Sequence, residues 1–240
     1  MVRMIPDPTG RFAERPFYKP EELDRECEQI VTKFLRKRRG EVRFPISTDD
    51  LHVLIEEEGA DLDSCVDLSA YGEDVEGVAI FYPDRGPEVK ISHLLANNPR
   101  RENRWRTTLT HEFGHVRFHR YLWADKLATG DLFARRGELD NTAVCKRDQI
   151  LNARQTDWME WQAGYISGAI LMPASSIRTL VREYCEPNRL FGPVNIASED
   201  AQCLIQSVKA EFQVSEEAAR IRLQALNLVS AGGGHAGLFT

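Results

Sequence analysis

Residues 111 to 115 read His-Glu-Phe-Gly-His, and on a helix that spacing assembles most of a centre for metal-assisted hydrolysis. Four residues make just over one turn, so His111 and His115 leave one face about 40° apart and can share a single divalent cation. Glu112 lies roughly 100° round from His111 and about 60° from His115. That offset is too large for a comfortable ligand but leaves the carboxylate within reach of a water on the metal, the place of a general base. With six His in 240 residues, a chance occurrence of this pattern anywhere in the chain has a probability of about one in a hundred.

A single zinc ion in a catalytic site takes three protein ligands and keeps its fourth position for water. His119 stands four residues beyond His115. On a continuous α-helix its direction has drifted about 80° from His111, and no Gly between His115 and His119 breaks the helix. His119 is therefore read as a neighbour of a ligand or as a surface residue, and as a weak candidate for oxyanion stabilisation. Glu160 is the better third ligand. The helical face that it begins continues through Ala163, Gly164, Ser167 and Gly168, all small, while Trp158, Trp161, Tyr165 and Met172 point elsewhere. Small residues let two helices approach closely, as a short-stemmed carboxylate requires. The competing reading of this face is a helix-pairing surface with an exposed Glu. No spacing supports Cys145 as a further ligand that would hold the centre inactive.

The elements that must position these groups follow from periodicity and caps. Asn98-Pro99 opens the metal helix, and Trp105, Leu109, Phe113 and Val116 form a buried stripe opposite the His face. Thr107, Thr108, Phe118 and Leu122 bury the His face as well. Gly114 inside this helix costs about 1 kcal/mol relative to Ala, which implies a packing reason. Earlier in the chain, 1–19 is Pro-containing and reads as an arm, 21–39 as a helix ending in four cations at Gly40, and 48–58 as a helix capped by Ser47 or Thr48. The β-rich runs 77–82 and 88–92, separated by Pro83-Asp84-Arg85-Gly86-Pro87, make a hairpin. This hairpin either pairs with an extended substrate or completes the core. Helices at 174–186, 198–213 and 216–227 follow, the last two joined by Gln213-Val214-Ser215 in the manner of a helix-turn-helix.

His111-Glu112-Phe113-Gly114-His115, followed by Glu160-x-x-Ala163-x-x-x-Ser167-x-x-Ile170-Leu171-Met172-Pro173, resembles the ImmA/IrrE family of intracellular zinc metallopeptidases. The resemblance spans roughly residues 47 to 228. It implies a zincin-like α+β domain with a small sheet, zinc held by His111, His115 and Glu160, and Glu112 as the catalytic acid/base. It also implies a protein substrate, often a helix-turn-helix transcriptional repressor, cleaved in regulated proteolysis under stress or mobile-element control. Two departures stand out. Gly164 replaces the Asn usual in the family, and the interval 120–156 is longer and more polar, which suggests a lid or partner-binding loop.

Composition sets the frame. An apolar share of 42% and a charged share of 28% are those of a globular chain. The division expected is an arm and helix over 1–40, the metallopeptidase domain over 41–186, a helical extension over 187–228 and a flexible tail over 229–240. The absence of a signal sequence or membrane span implies a cytoplasmic protein. Five Cys without a Cys-x-x-Cys pair argue against a disulfide framework. A net charge of −6, and Glu216-Glu217 at the start of the last helix, disfavour DNA binding, because acids at the tip of a recognition helix repel phosphate. Two non-enzyme readings compete with the peptidase: a DNA-binding regulator, and a zinc-containing interaction module without turnover. Retention of Glu112 favours catalysis, since holding zinc does not require it.

Overall fold

The computed structural model describes residues 2–129, 141–146 and 157–230. It is an α+β structure in which one four-stranded sheet and a set of helices enclose a central pair of helices. An N-terminal hairpin of β1 (Arg3–Pro6) and β2 (Glu14–Phe17) leads into α1 (Pro20–Arg39) and α2 (Thr48–Glu57). The main sheet holds β3 (Asp61–Val66), β4 (Val75–Ile80), β5 (Glu88–Ser92) and β6 (Thr142–Lys146) in the order β3-β5-β4-β6. A short α3 (His93–Ala96) precedes α4 (Glu102–Gly114), which continues through a π-helical turn (His115–His119) into α5 (Arg120–Thr129). Then come α6 (Trp158–Leu171), α7 (Ala174–Cys185), α8 (Glu199–Phe212) and α9 (Glu216–Ala225), with the two-residue strands β7 (Val194–Asn195) and β8 (Val229–Ser230) pairing in parallel.

Local chemistry accounts for most of these boundaries. Ser47 caps α2 by accepting a hydrogen bond from the Asp50 amide, and Gly40 ends α1 in the left-handed region at φ 79°. Three of the four cations at the end of α1 pair within the fold: Arg38 and Arg39 with the buried Asp50 and Lys37 with Glu57. They tie α1 to α2, as a capped helix end should. Ser198 and Ser215 cap α8 and α9 in the same way as Ser47.

Several expectations change. The segment read as an arm forms the β1–β2 hairpin and docks on α6: Trp158 Nε1 donates to Asp7 at 2.9 Å and Phe12 lies edge-on to Trp123 and Trp158. The β4–β5 hairpin is present and antiparallel, but β5 also pairs with β3, and β4 also pairs with β6. Both hairpin strands are therefore interior and saturated with backbone hydrogen bonds, so neither offers a free edge to an extended substrate. Strands β3 and β6 have no counterpart in the sequence reading. Of the interval expected to form a lid or partner loop, 141–146 supplies β6, and 130–140 and 147–156 lie outside the described residues, as does 231–240 of the expected tail.

Helices α4 and α6 cross at the centre of the core. Gly114 explains how closely: a Cβ there would stand 3.1 Å from the Cα of Ala163. The helix-propensity cost of Gly114 is thus exchanged for near-contact of two backbones. Thr110 and Ser167 bridge the same crossing, with hydroxyls 2.7 Å apart and Ser167 donating to the Thr107 carbonyl. Buried Arg106 anchors α4 on its other side by donating to the carbonyls of Ile46 and Phe212.

Candidate metal centre

The α4–α6 crossing brings His111, His115 and Glu160 to one point. His111 Nε2 lies 3.0 Å from Glu160 Oε2, His115 Nε2 lies 3.4 Å from Glu160 Oε1, and the two Nε2 atoms are 3.1 Å apart. Both imidazoles are fully buried and Glu160 is 4% exposed. The reading of α6 as a plain pairing surface with an exposed Glu does not hold. Its small face does pair with α4, and that pairing delivers the carboxylate to the His pair. Two imidazoles and one carboxylate aimed at a common point form the donor set of a catalytic zinc centre, so the residues present fit such an ion.

Electrostatics separate the two acids. Glu160 is buried, which opposes its charge, but His115 and His111 outweigh that and hold it ionised well below the usual carboxylate range. Glu112 is pushed up to about 8, chiefly by burial and further by Glu160, although His115 opposes the shift. Both its oxygens are buried and neither has a partner at hydrogen-bond geometry, the neighbouring Cys145 thiol only tempering the shift. A carboxyl left so exposed to its own desolvation penalty is primed to exchange a proton with something that enters the site. His111 is depressed by burial against the pull of Glu160, whereas His115 is raised because Glu160 and Glu112 outweigh its burial.

Gly77 makes room for Glu112. A Cβ on Gly77 would collide with Glu112 Oε1 and stand 2.9 Å from Thr108 Cγ2. Gly77 is paired with Ile91 on one side and Cys145 on the other, so β4 lays bare backbone over the Glu112 carboxyl. Cys145 itself is brought to the centre: its sulfur and ligand atoms of His111 and Glu112 lie within 4.8 Å of one another. Burial and the two carboxylates keep its thiol protonated. Sequence spacing gave no sign of this, because strand pairing rather than helical turn places it. The signal that was available is the run Thr142 to Cys145, whose β-rich residues read as a short strand.

His119 is not a surface residue. It is fully buried beside His115, its Nδ1 atom 3.2 Å from His115 Nδ1, and burial together with His115 depresses it to about 3. The expectation of a straight α-helix failed here. The wider π turn over His115–His119 changes the direction of every side chain beyond Gly114, as such turns often do at functional sites.

A model of the IrrE N-terminal-like domain (Peptidase_M78) matches residues 84–224, which include α4, the π turn and α6. No individual curated protein matches the chain.

Proposed function

Because the chain belongs to the IrrE N-terminal-like peptidase family, we propose that it is a zinc-dependent endopeptidase with His111, His115 and Glu160 as metal ligands and Glu112 as general acid/base. The observation that carries this reading is the convergence of those three side chains at 3.0–3.4 Å beside an unpartnered, fully buried Glu112. Bound zinc supplies Lewis-acid polarisation of a peptide carbonyl and a water acidified to near neutrality.

Glu112 takes the proton of the attacking water on a carboxylate oxygen and returns it to the amine nitrogen as the peptide bond breaks. Glu160, held ionised between the two imidazoles, keeps their Nε2 atoms turned toward one point. Gly77 lets the carboxylate stand where a side chain on β4 would displace it.

The substrate proposed is an intracellular protein, a helix-turn-helix repressor, cleaved in regulated proteolysis; the family match supports the peptidase activity, and the resemblance to ImmA/IrrE proteins implies the substrate. DNA binding by the chain itself is disfavoured by the use of its last helix: Arg222 is buried on Asp24, and Glu216 accepts hydrogen bonds from Gln202 and Gln206. Among the described residues, no helix is long and apolar enough to cross a membrane. The test is Glu112→Gln, which keeps shape but cannot accept the proton. The variant should hold zinc and bind a helix-turn-helix repressor substrate while cleavage stops. Equal cleavage by wild type and variant would remove Glu112 from the role.

A further inference from the structure

Gln162 lies two residues along α6 from Glu160 and is buried. Its Nε2 donates to the Pro16 carbonyl at 3.0 Å, and its Oε1 is 3.0 Å from His119 Nε2. A backbone carbonyl only accepts, so the amide nitrogen must face Pro16 and the amide oxygen must face His119. That oxygen also only accepts, which places the proton of His119 on Nε2 and leaves a lone pair on its Nδ1. His115 Nδ1, 3.2 Å away, is then the donor. His115 consequently carries a proton on Nδ1, which leaves Nε2, the atom that faces His111 Nε2 and Glu160, as the one to ligate. That is the tautomer a metal ligand needs, and it is reached from the opposite end of the chain of bonds, without reference to a metal.

We propose that His119 and Gln162 are positioning residues that fix the tautomer and orientation of His115, and that the relay is anchored on the backbone of the N-terminal hairpin. The π turn sets the two imidazoles side by side, and Trp158 holds the His119 ring edge-on at 5.6 Å between centroids. Pro16 lies outside residues 84–224, whereas His119 and Gln162 lie within them. The hairpin therefore completes, from outside the matched domain, the support of one ligand. This inference rests on the reading of His115 as a ligand and goes beyond it in naming what orients it.

The test uses the full chain with two readouts. Long-range 15N–1H correlation on the metal-free protein reads the tautomers directly: His115 should be protonated on Nδ1 and His119 on Nε2. Zinc affinity, measured by competition with a chelator, should fall about 10- to 100-fold in His119→Leu and in Gln162→Leu. His119→Asn places an acceptor oxygen where Nδ1 stood and should recover affinity to within a few-fold of wild type. A proton on His119 Nδ1 would overturn the inference. So would a folded His119→Leu or Gln162→Leu that binds zinc as tightly as wild type. If wild type bound no zinc, the peptidase reading would fail by itself, and the 15N signature would still decide the relay.

Discussion

At the scale of the residue, the centre is built from groups whose ordinary chemistry is displaced by their surroundings. Glu112 has the largest consequence. In the metal-free protein its carboxyl titrates near 8 when folded, against 4.5 in the unfolded chain. Between those values the folded state binds the extra proton, so stability falls as pH rises through the window. Glu112→Gln lacks that component. In the presence of a chelator, wild type should lose stability relative to the variant between about pH 6 and about pH 8, by an amount on the order of a few kcal/mol. Urea midpoints of both proteins at the two pH values measure it, and parallel curves would show that Glu112 is not desolvated as described. His111, Glu112 and His115 were legible from spacing alone, because one helical turn fixes their relation. Glu160 was legible from the small residues around it. Cys145 was not, because its position depends on strand register set elsewhere in the chain.

At the scale of the element, glycine placement decides what can approach. Gly77→Ala would press a methyl group on Glu112 Oε1. The expected result is zinc binding close to wild type with kcat lowered about 10- to 100-fold, since small displacements of a reacting group carry costs of that size. Metal analysis and steady-state kinetics on one preparation check it; unchanged kcat would mean that Glu112 is not held by β4. Gly114→Ala should gain about 1 kcal/mol of helix propensity yet lose about 1–3 kcal/mol by forcing α4 from Ala163. A net loss of stability in urea denaturation is expected, and a net gain would contradict the close crossing. Helices α1, α2, α4, α7, α8 and α9 and the β4–β5 hairpin could be read from the chain because caps and apolar periods are local. Strand β3 runs Asp61 to Val66 with alternate residues exposed and none fully buried, and β6 is five residues long. Their pairing is non-local and leaves only a weak trace in sequence. The π turn leaves none; it lies where His119 meets Gln162 of α6, a contact made across the fold.

At the scale of the whole molecule, the C-terminal helices are part of the support for the centre. Arg222 of α9 pairs with Asp24 of α1 at 2.6 Å and donates to the Met172 carbonyl at the end of α6, while Tyr165 donates to Asp24. One buried cluster joins ends of the chain about two hundred residues apart to the helix that bears Glu160. Removing one partner of such a pair leaves a buried charge, so Asp24→Ala should destabilise by about 3–5 kcal/mol, and Asp24→Leu combined with Arg222→Met should recover most of that. Thermal denaturation of the single and double variants decides it; additive losses would mean that the pair is not coupled. The central claim is that α4 and α6 meet to hold one catalytic metal ion, and metal content tests it most directly. Purified wild type and Glu112→Gln should each carry close to one zinc per chain, and Glu160→Ala, folded by circular dichroism, should carry almost none. A folded Glu160→Ala that retained wild-type zinc would contradict the account.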